Sequence, residues 1–163
     1  VRVPISNLVG EEGEGFRIMM RELPRERITI ACRAQAEAQR AFDITRDYVK
    51  ERKAFGKAIF EFQNTQFTLA DMKTNLEVGW AYLDQCIKKC DEGVLTPEEG
   101  AMAKLWTTEN EGVVVDKCLQ LFGGYGYMRE YVVERLYRDA RLYPIGGGTR
   151  EIMNEIISKV EGY

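Results

Sequence analysis

Three stretches of the chain carry residue types that a purely structural reading does not use up. The first is Arg52-Lys53-Ala54-Phe55-Gly56, with Gln63 and Gln66 downstream. It reads as a helix end, with cations suited to the C-terminal dipole and Gly56 as a left-handed cap. It also reads as an arginine placed on a phosphate, with Phe55 and Gln63 shaping a cofactor pocket. The second is Gln120-Leu121-Phe122-Gly123-Gly124-Tyr125-Gly126-Tyr127. Its glycines make a tight turn, and they also strip side chains from backbone that a flat or anionic ligand can then approach. Their order is wrong for a dinucleotide fingerprint, and no strand precedes them. The third runs from Arg138-Asp139-Ala140-Arg141 to Gly146-Gly147-Gly148-Thr149-Arg150-Glu151-Ile152. Thr149 there caps a helix, or the glycine-fronted helix start offers free N–H groups to a ligand.

The absent residues narrow the chemistry further. The chain has no histidine, which excludes a Ser-His-Asp triad, a Cys-His pair, a His-ligated metal and a His base within it. Cys32, Cys86, Cys90 and Cys118 form no CxxC pair, so they read as buried reduced thiols rather than metal or redox centres.

Helices must position these stretches. From Arg25 to Phe55 there is neither Gly nor Pro, and Ile28, Ala31, Ala34, Ala38, Ala41, Phe42 and Val49 fall on one helical stripe. The residue before proline avoids the α region, so Leu23-Pro24 predicts a helix beginning at Pro24 and ending near Glu51. A second helix is expected from about Phe62 to Asp91, its stripe made by Phe67, Leu69, Met72, Leu76, Trp80, Leu83, Ile87 and Cys90. Thr96-Pro97-Glu98-Glu99 has the pattern of a capping box. The third helix it opens carries Ala101, Leu105, Trp106, Val113, Cys118 and Leu119 as far as Phe122. A short helix over about 132–141 and a last one from Arg150 follow. The expected fold is all-α, an antiparallel up-and-down four-helix bundle over 16–163. Residues 1–15 are a connector, and 1–10 alternate like the tail of an edge strand or a connecting loop.

The chain's 163 residues suit one domain, and 23 Lys plus Arg against 26 Asp plus Glu leave a net charge of −3. That balance argues against a nucleic-acid surface, and no apolar run approaches the ~20 residues of a membrane span. A start at Val1 instead of Met predicts a piece of something longer.

Taken together and in this order, RKAFG with a following Gln, QxxGGxGY and RDxRxxxIxxGTxEI resemble the C-terminal domain of acyl-CoA dehydrogenases, over nearly the whole chain. The resemblance implies a flavoprotein oxidoreductase of fatty acid metabolism that binds FAD and acyl-CoA. It implies a dimer or tetramer, electron-transfer flavoprotein as acceptor, and a bacterial cytoplasm, in preference to a mitochondrial matrix, as compartment. Residues 1–15 would then leave a preceding β-domain. By position, Arg52 would contact the FAD pyrophosphate, with Phe55 and Gln63 beside it. Gln120, Gly123 and Gly124 would meet the adenosine end of a neighbouring subunit's FAD, and Thr149 and Glu151 would also touch FAD. Gly147 and Gly148 would pass the substrate thioester, and Arg27 would help hold CoA.

One position departs from the family. Most members place the catalytic Glu immediately before the last Gly-Thr, where this chain has Gly147. Glu26, in Leu23-Pro24-Arg25-Glu26-Arg27, resembles the alternative base of the long-chain and isovaleryl branches. A Glu in a first helical turn also offsets the dipole without any catalytic role. Two readings stay open: a dehydrogenase with its base at Glu26, its isolated C-terminal domain being inactive, and a non-catalytic assembly or binding bundle derived from the same family.

Overall fold

The computed structural model describes all 163 residues. Five α-helices account for most of it: α1 (Gly15–Glu51), α2 (Gln63–Asp91), α3 (Pro97–Phe122), α4 (Val132–Ala140) and α5 (Arg150–Glu161). Short 3-10 turns lie at Ile5–Asn7, Ile59–Glu61 and Gly123–Tyr127, and a two-residue hairpin pairs β1 (Lys53–Ala54) with β2 (Lys57–Ala58). The all-α expectation holds, with three long helices and two short ones.

The long helices run up, down and up. Gly100 near the start of α3 sits against Pro24 near the start of α1, and Tyr48 near the end of α1 donates to the Phe122 carbonyl at the end of α3, at 3.4 Å. α1 and α3 are therefore parallel and packed directly on each other, and α2, which joins them in the chain, runs back the other way. The α1 stripe explains how closely they pack. Ala31, Ala34, Ala38 and Ala41 are fully buried, and a face of methyl groups lets a neighbouring backbone approach. The main core joins Phe42, Val49, Leu69, Met72, Leu76, Val115, Cys118 and Phe122. A smaller one gathers Ile28, Ala31, Leu83, Cys86 and Ala103 toward the other end.

Thr96 caps α3 as its pattern predicts: its hydroxyl accepts from the Glu99 N–H at 3.3 Å, and Glu99 returns a bond to the Thr96 N–H. Several expectations need correction. α1 begins at Gly15, not at Pro24, and passes through the proline without ending. Proline only biases its predecessor away from α, and a helix survives when the one lost N–H bond is the whole loss. Residues 1–10 form no strand; they are exposed, with a single 3-10 turn. Gly56 is not the α1 cap. Arg52 is, in extended conformation, while Phe55 (φ 53°) and Gly56 (φ 84°) are the two central residues of the hairpin turn. Both having positive φ is what a tight two-residue hairpin requires. Phe67, Trp106 and Val113 are exposed rather than core residues, because an apolar type one position off the stripe faces outward.

Candidate functional site

The Gly123–Tyr127 turn follows α3 directly and lies over the end of α1. Tyr48 and Phe122 stack with ring centroids 4.0 Å apart, which fixes the two helix ends together. Arg52, at the end of α1, lays its guanidinium 5.5 Å from the centroid of the Tyr125 ring. The result is a shallow cleft of about 520 Å³ that brings together Arg52, Gln120, Gly123 and Gly124 on a floor of Tyr48 and Phe122. A Cβ at Gly123 or Gly124 would meet no protein atom within 4 Å, so both glycines border open space. Gly123 has φ +61°, so the open backbone is also a conformation that favours glycine. An aromatic floor, a bare backbone wall and one cation suit a flat group carrying a phosphate.

Phe55 and Gln63 do not line this cleft. Phe55 is 95% exposed at the hairpin tip, edge-on to Phe62 at 6.4 Å between centroids, and Gln63 is an exposed first residue of α2. An exposed phenylalanine held at positive φ is uncommon and costs backbone strain.

A second, larger cleft of about 800 Å³ opens where α3, α4 and the start of α5 meet. Thr149 and Glu151 line it together with Lys117, Arg138, Arg141 and Arg150. Thr149 stands at the N-cap of α5, but its side chain makes no capping bond to the helix backbone. The Glu151 carboxyl is held below its ordinary range by its own backbone N–H and by the Thr149 hydroxyl. The two clefts share no lining residue.

The remaining site residues meet at a third place. Gly147 (φ +68°) and Gly148 (φ +105°) form the loop before α5, and their N–H groups donate to no backbone carbonyl. A Cβ at Gly147 would collide with Cδ1 of Ile30 on α1. Ile30 lies four residues, one helical turn, beyond Glu26, so the two share a face of α1. The helix face that carries Glu26 is thus the one turned toward the glycine loop. Glu26 itself is exposed in this chain. Its neighbour Arg27 is buried, with an Nε that has no hydrogen-bond partner, and burial lowers its pKa from the ordinary guanidinium value.

Two buried groups lay outside the sequence expectations. Lys104 is fully buried in α3, and its ammonium donates to the Gly148 carbonyl at 2.6 Å. Glu111, one heptad further along, is also fully buried, and neither of its oxygens receives a bond. Beside it Glu37 accepts from the Tyr143 hydroxyl and from Arg33, each at 2.9 Å. Burial first, and Glu37 next, push the Glu111 carboxyl up to about 9. Part of the signal was in the sequence: Lys104, Glu111 and Cys118 are spaced by seven and so share one face of α3, a face that Thr107 and Thr108 make partly polar and Val114 and Val115 apolar.

The model of the acyl-CoA dehydrogenase C-terminal domain family matches residues 13–161. Over 159 residues, 98% of this chain and 37% of the relative, the sequence is 45% identical to the mitochondrial long-chain specific acyl-CoA dehydrogenase of Rattus norvegicus. It is 41% identical to the acryloyl-CoA reductase (NADH) of Anaerotignum propionicum, across 97% of this chain and 40% of that protein. Among solved structures, an acyl-CoA dehydrogenase from Geobacillus kaustophilus superposes with a TM-score of 0.95 at 43% identity, over 99% of this chain and 42% of that one. The butyryl-CoA dehydrogenase of Megasphaera elsdenii gives 0.94 at 36% identity, over 99% and 42%. The chain therefore spans about two fifths of the length of these relatives. With its motifs, its helices and nearly its full length matched, the chain belongs to the acyl-CoA dehydrogenase C-terminal domain family.

Proposed function

We propose that this chain is the C-terminal domain of a flavin-dependent acyl-CoA dehydrogenase whose base is Glu26. The observation that carries the reading is the meeting of the Glu26 face of α1, through Ile30, with a glycine loop whose amides are unengaged. A thioester acidifies the α-carbon of its acyl chain. Removing that proton needs a carboxylate on one side and hydrogen-bond donors on the carbonyl as negative charge grows there. Glu26 takes the α-proton onto its carboxylate. The Gly147 amide donates to the thioester carbonyl, a role that needs backbone alone and so survives the loss of a side chain at this position. Arg27, buried and with a free Nε, offers its charge to the CoA portion.

The residues present fit FAD. The Arg52 cleft has an aromatic floor and bare glycine backbone for an adenosine with its phosphates, and the Thr149–Glu151 cleft offers a helix start and several cations. Bound there, FAD would supply the acceptor for the β-hydride. Two clefts without a common residue suit a dinucleotide shared between subunits of an oligomer, one cleft serving each of two molecules. Residues 1–15 join this domain to a preceding β-domain, which closes the pocket over Glu26 and excludes water. Electron-transfer flavoprotein would be the partner that takes the electrons onward.

The test is an anaerobic acyl-CoA titration of the intact protein and of its Glu26→Gln variant, following flavin absorbance. Bleaching in the wild type and none in the variant is the expected result. Gly147 favours a second reading, a bundle kept for assembly after losing its chemistry. Bound flavin that no acyl-CoA bleaches in either protein would establish that reading instead.

A further inference from the structure

Burying an ammonium group costs several kcal/mol unless a carboxylate or several hydrogen bonds answer it. Lys104 is fully buried, has no ion pair, and has one hydrogen-bond acceptor, the Gly148 carbonyl at 2.6 Å. Arg27, a second buried cation with an unpartnered Nε, lies close enough to depress its pKa further, while Glu109 acts weakly in the opposite sense. Two buried cations that repel each other are a poor way to hold helices together. A methionine at position 104 would fill the same space at lower cost.

The one bond that Lys104 makes lands on the loop before α5. A peptide unit is planar and trans, so its N–H points opposite to its C=O. With the Gly148 carbonyl drawn inward to the ammonium, the Thr149 N–H on the same peptide faces outward. The glycine amides preceding it are left without backbone acceptors. Gly147 and Gly148 both have positive φ and sit on no helix or strand, so nothing regular holds this orientation. A loop of consecutive glycines is the most mobile backbone available, and donors aimed at a developing charge work only when their orientation is fixed in advance.

We propose that Lys104 is a positioning residue: by holding the Gly148 carbonyl it fixes the glycine loop so that its amides face the substrate thioester. This rests on the dehydrogenase reading above. Lys104 touches no substrate, and its buried charge, with that of Arg27, adds a positive field on the side where the carbonyl oxygen becomes negative.

The experiment compares the intact protein with Lys104→Met and Lys104→Arg. The readouts are kcat and KM for acyl-CoA, thermal stability, and hydrogen exchange across residues 145–150. Lys104→Met is expected to lose about 10²-fold in kcat, the scale of a misplaced catalytic donor, with KM within about threefold. Exchange in the loop should quicken, and Lys104→Arg, which keeps a charged donor, should recover at least a tenth of the wild-type kcat. A folded Lys104→Met with wild-type kcat overturns the proposal, as does an Arg variant no better than Met. If neither variant folds, Lys104 belongs to the core alone and the proposal is also overturned. A wild type that does not reduce its flavin with acyl-CoA overturns the dehydrogenase reading itself, a result distinct from all of these.

Discussion

At the scale of single residues, Glu37 and Glu111 make the sharpest physical statement. A buried carboxyl with no donor, next to another carboxylate, is satisfied by keeping its own proton and donating it to that neighbour. The groups facing Glu111 are Glu37 and Arg33 from α1 and, more distantly, Tyr143 from the loop after α4. Its folded-state value of about 9 lies above the ordinary 4.5, so across that interval the folded chain binds a proton that the unfolded chain has lost. The resulting stability is complete below about 4.5 and drains away as the pH rises toward 9, by at most about 1.4 kcal/mol per unit. Thermal unfolding from pH 5 to 9 should show this fall in the wild type. It should flatten in Glu111→Gln, whose amide donates to Glu37 at every pH; equal slopes would remove the shared proton from the account. A second residue-scale prediction concerns Gly147. Its positive φ and the presence of Ile30 mean that Gly147→Glu, which restores the carboxylate usual in the family, should cost about 2 kcal/mol or more. Ile30→Ala should recover part of that loss, read by chemical denaturation. Resemblance, not spacing, made Glu26 and Gly147 legible. Nothing in the sequence says that position 30 fills the space which position 147 vacates.

At the scale of helices, the α1–α2 crossing depends on one missing side chain. Gln35 is fully buried, and its amide donates to the Leu76 carbonyl at 2.8 Å across the crossing. A Cβ at Gly79 would lie 2.9 Å from Gln35 Cδ and closer still to its oxygen. Gly79→Ala gains about 1 kcal/mol of helix propensity. It must also displace a buried hydrogen-bonded amide, a loss of about 1–3 kcal/mol. The net effect should be destabilising in the wild type and should change sign in a Gln35→Ala background; the same sign in both would show that the contact does not govern the crossing. The helices themselves were legible because apolar residues recur at helical spacing and because Thr96 to Glu99 spell a cap. Two local signals misled. Pro24 reads as a start because proline penalties are local, yet Gly100 leaves room on α3 for the proline backbone to pass, and α1 runs on through it. Gly56 reads as a cap because a glycine after a basic helix end usually is one, whereas here the chain spends it on a hairpin.

At the scale of the whole molecule, the chain carries its own core. Two buried clusters span the bundle from end to end, and no part of them depends on a residue outside the chain. Large apolar side chains nevertheless stand in the open. Phe16, Met19 and Met20 lie along the first turns of α1, ahead of Pro24, and Tyr127 lies beside the Arg52 cleft. Residues 1–10 share that exposure, which is why their alternating pattern misled: alternation requires a partner strand, and β1 and β2 pair with each other. A row of exposed apolar residues at one helix end needs cover from another domain or another copy. The 163 residues expressed alone should therefore unfold cooperatively without flavin and show a sedimentation mass that rises with concentration. Phe16→Ser with Met19→Ser should lower that association while leaving the unfolding temperature nearly unchanged, because neither side chain belongs to a core cluster. Glu26 lies open to water near the same end of α1, so the isolated domain should turn over no acyl-CoA at any concentration. A strictly monomeric fragment would show that the apolar face needs no cover. Turnover by the fragment would show that the bundle alone encloses enough of the acyl chain to keep water from Glu26, and the division of labour between domains proposed above would fall.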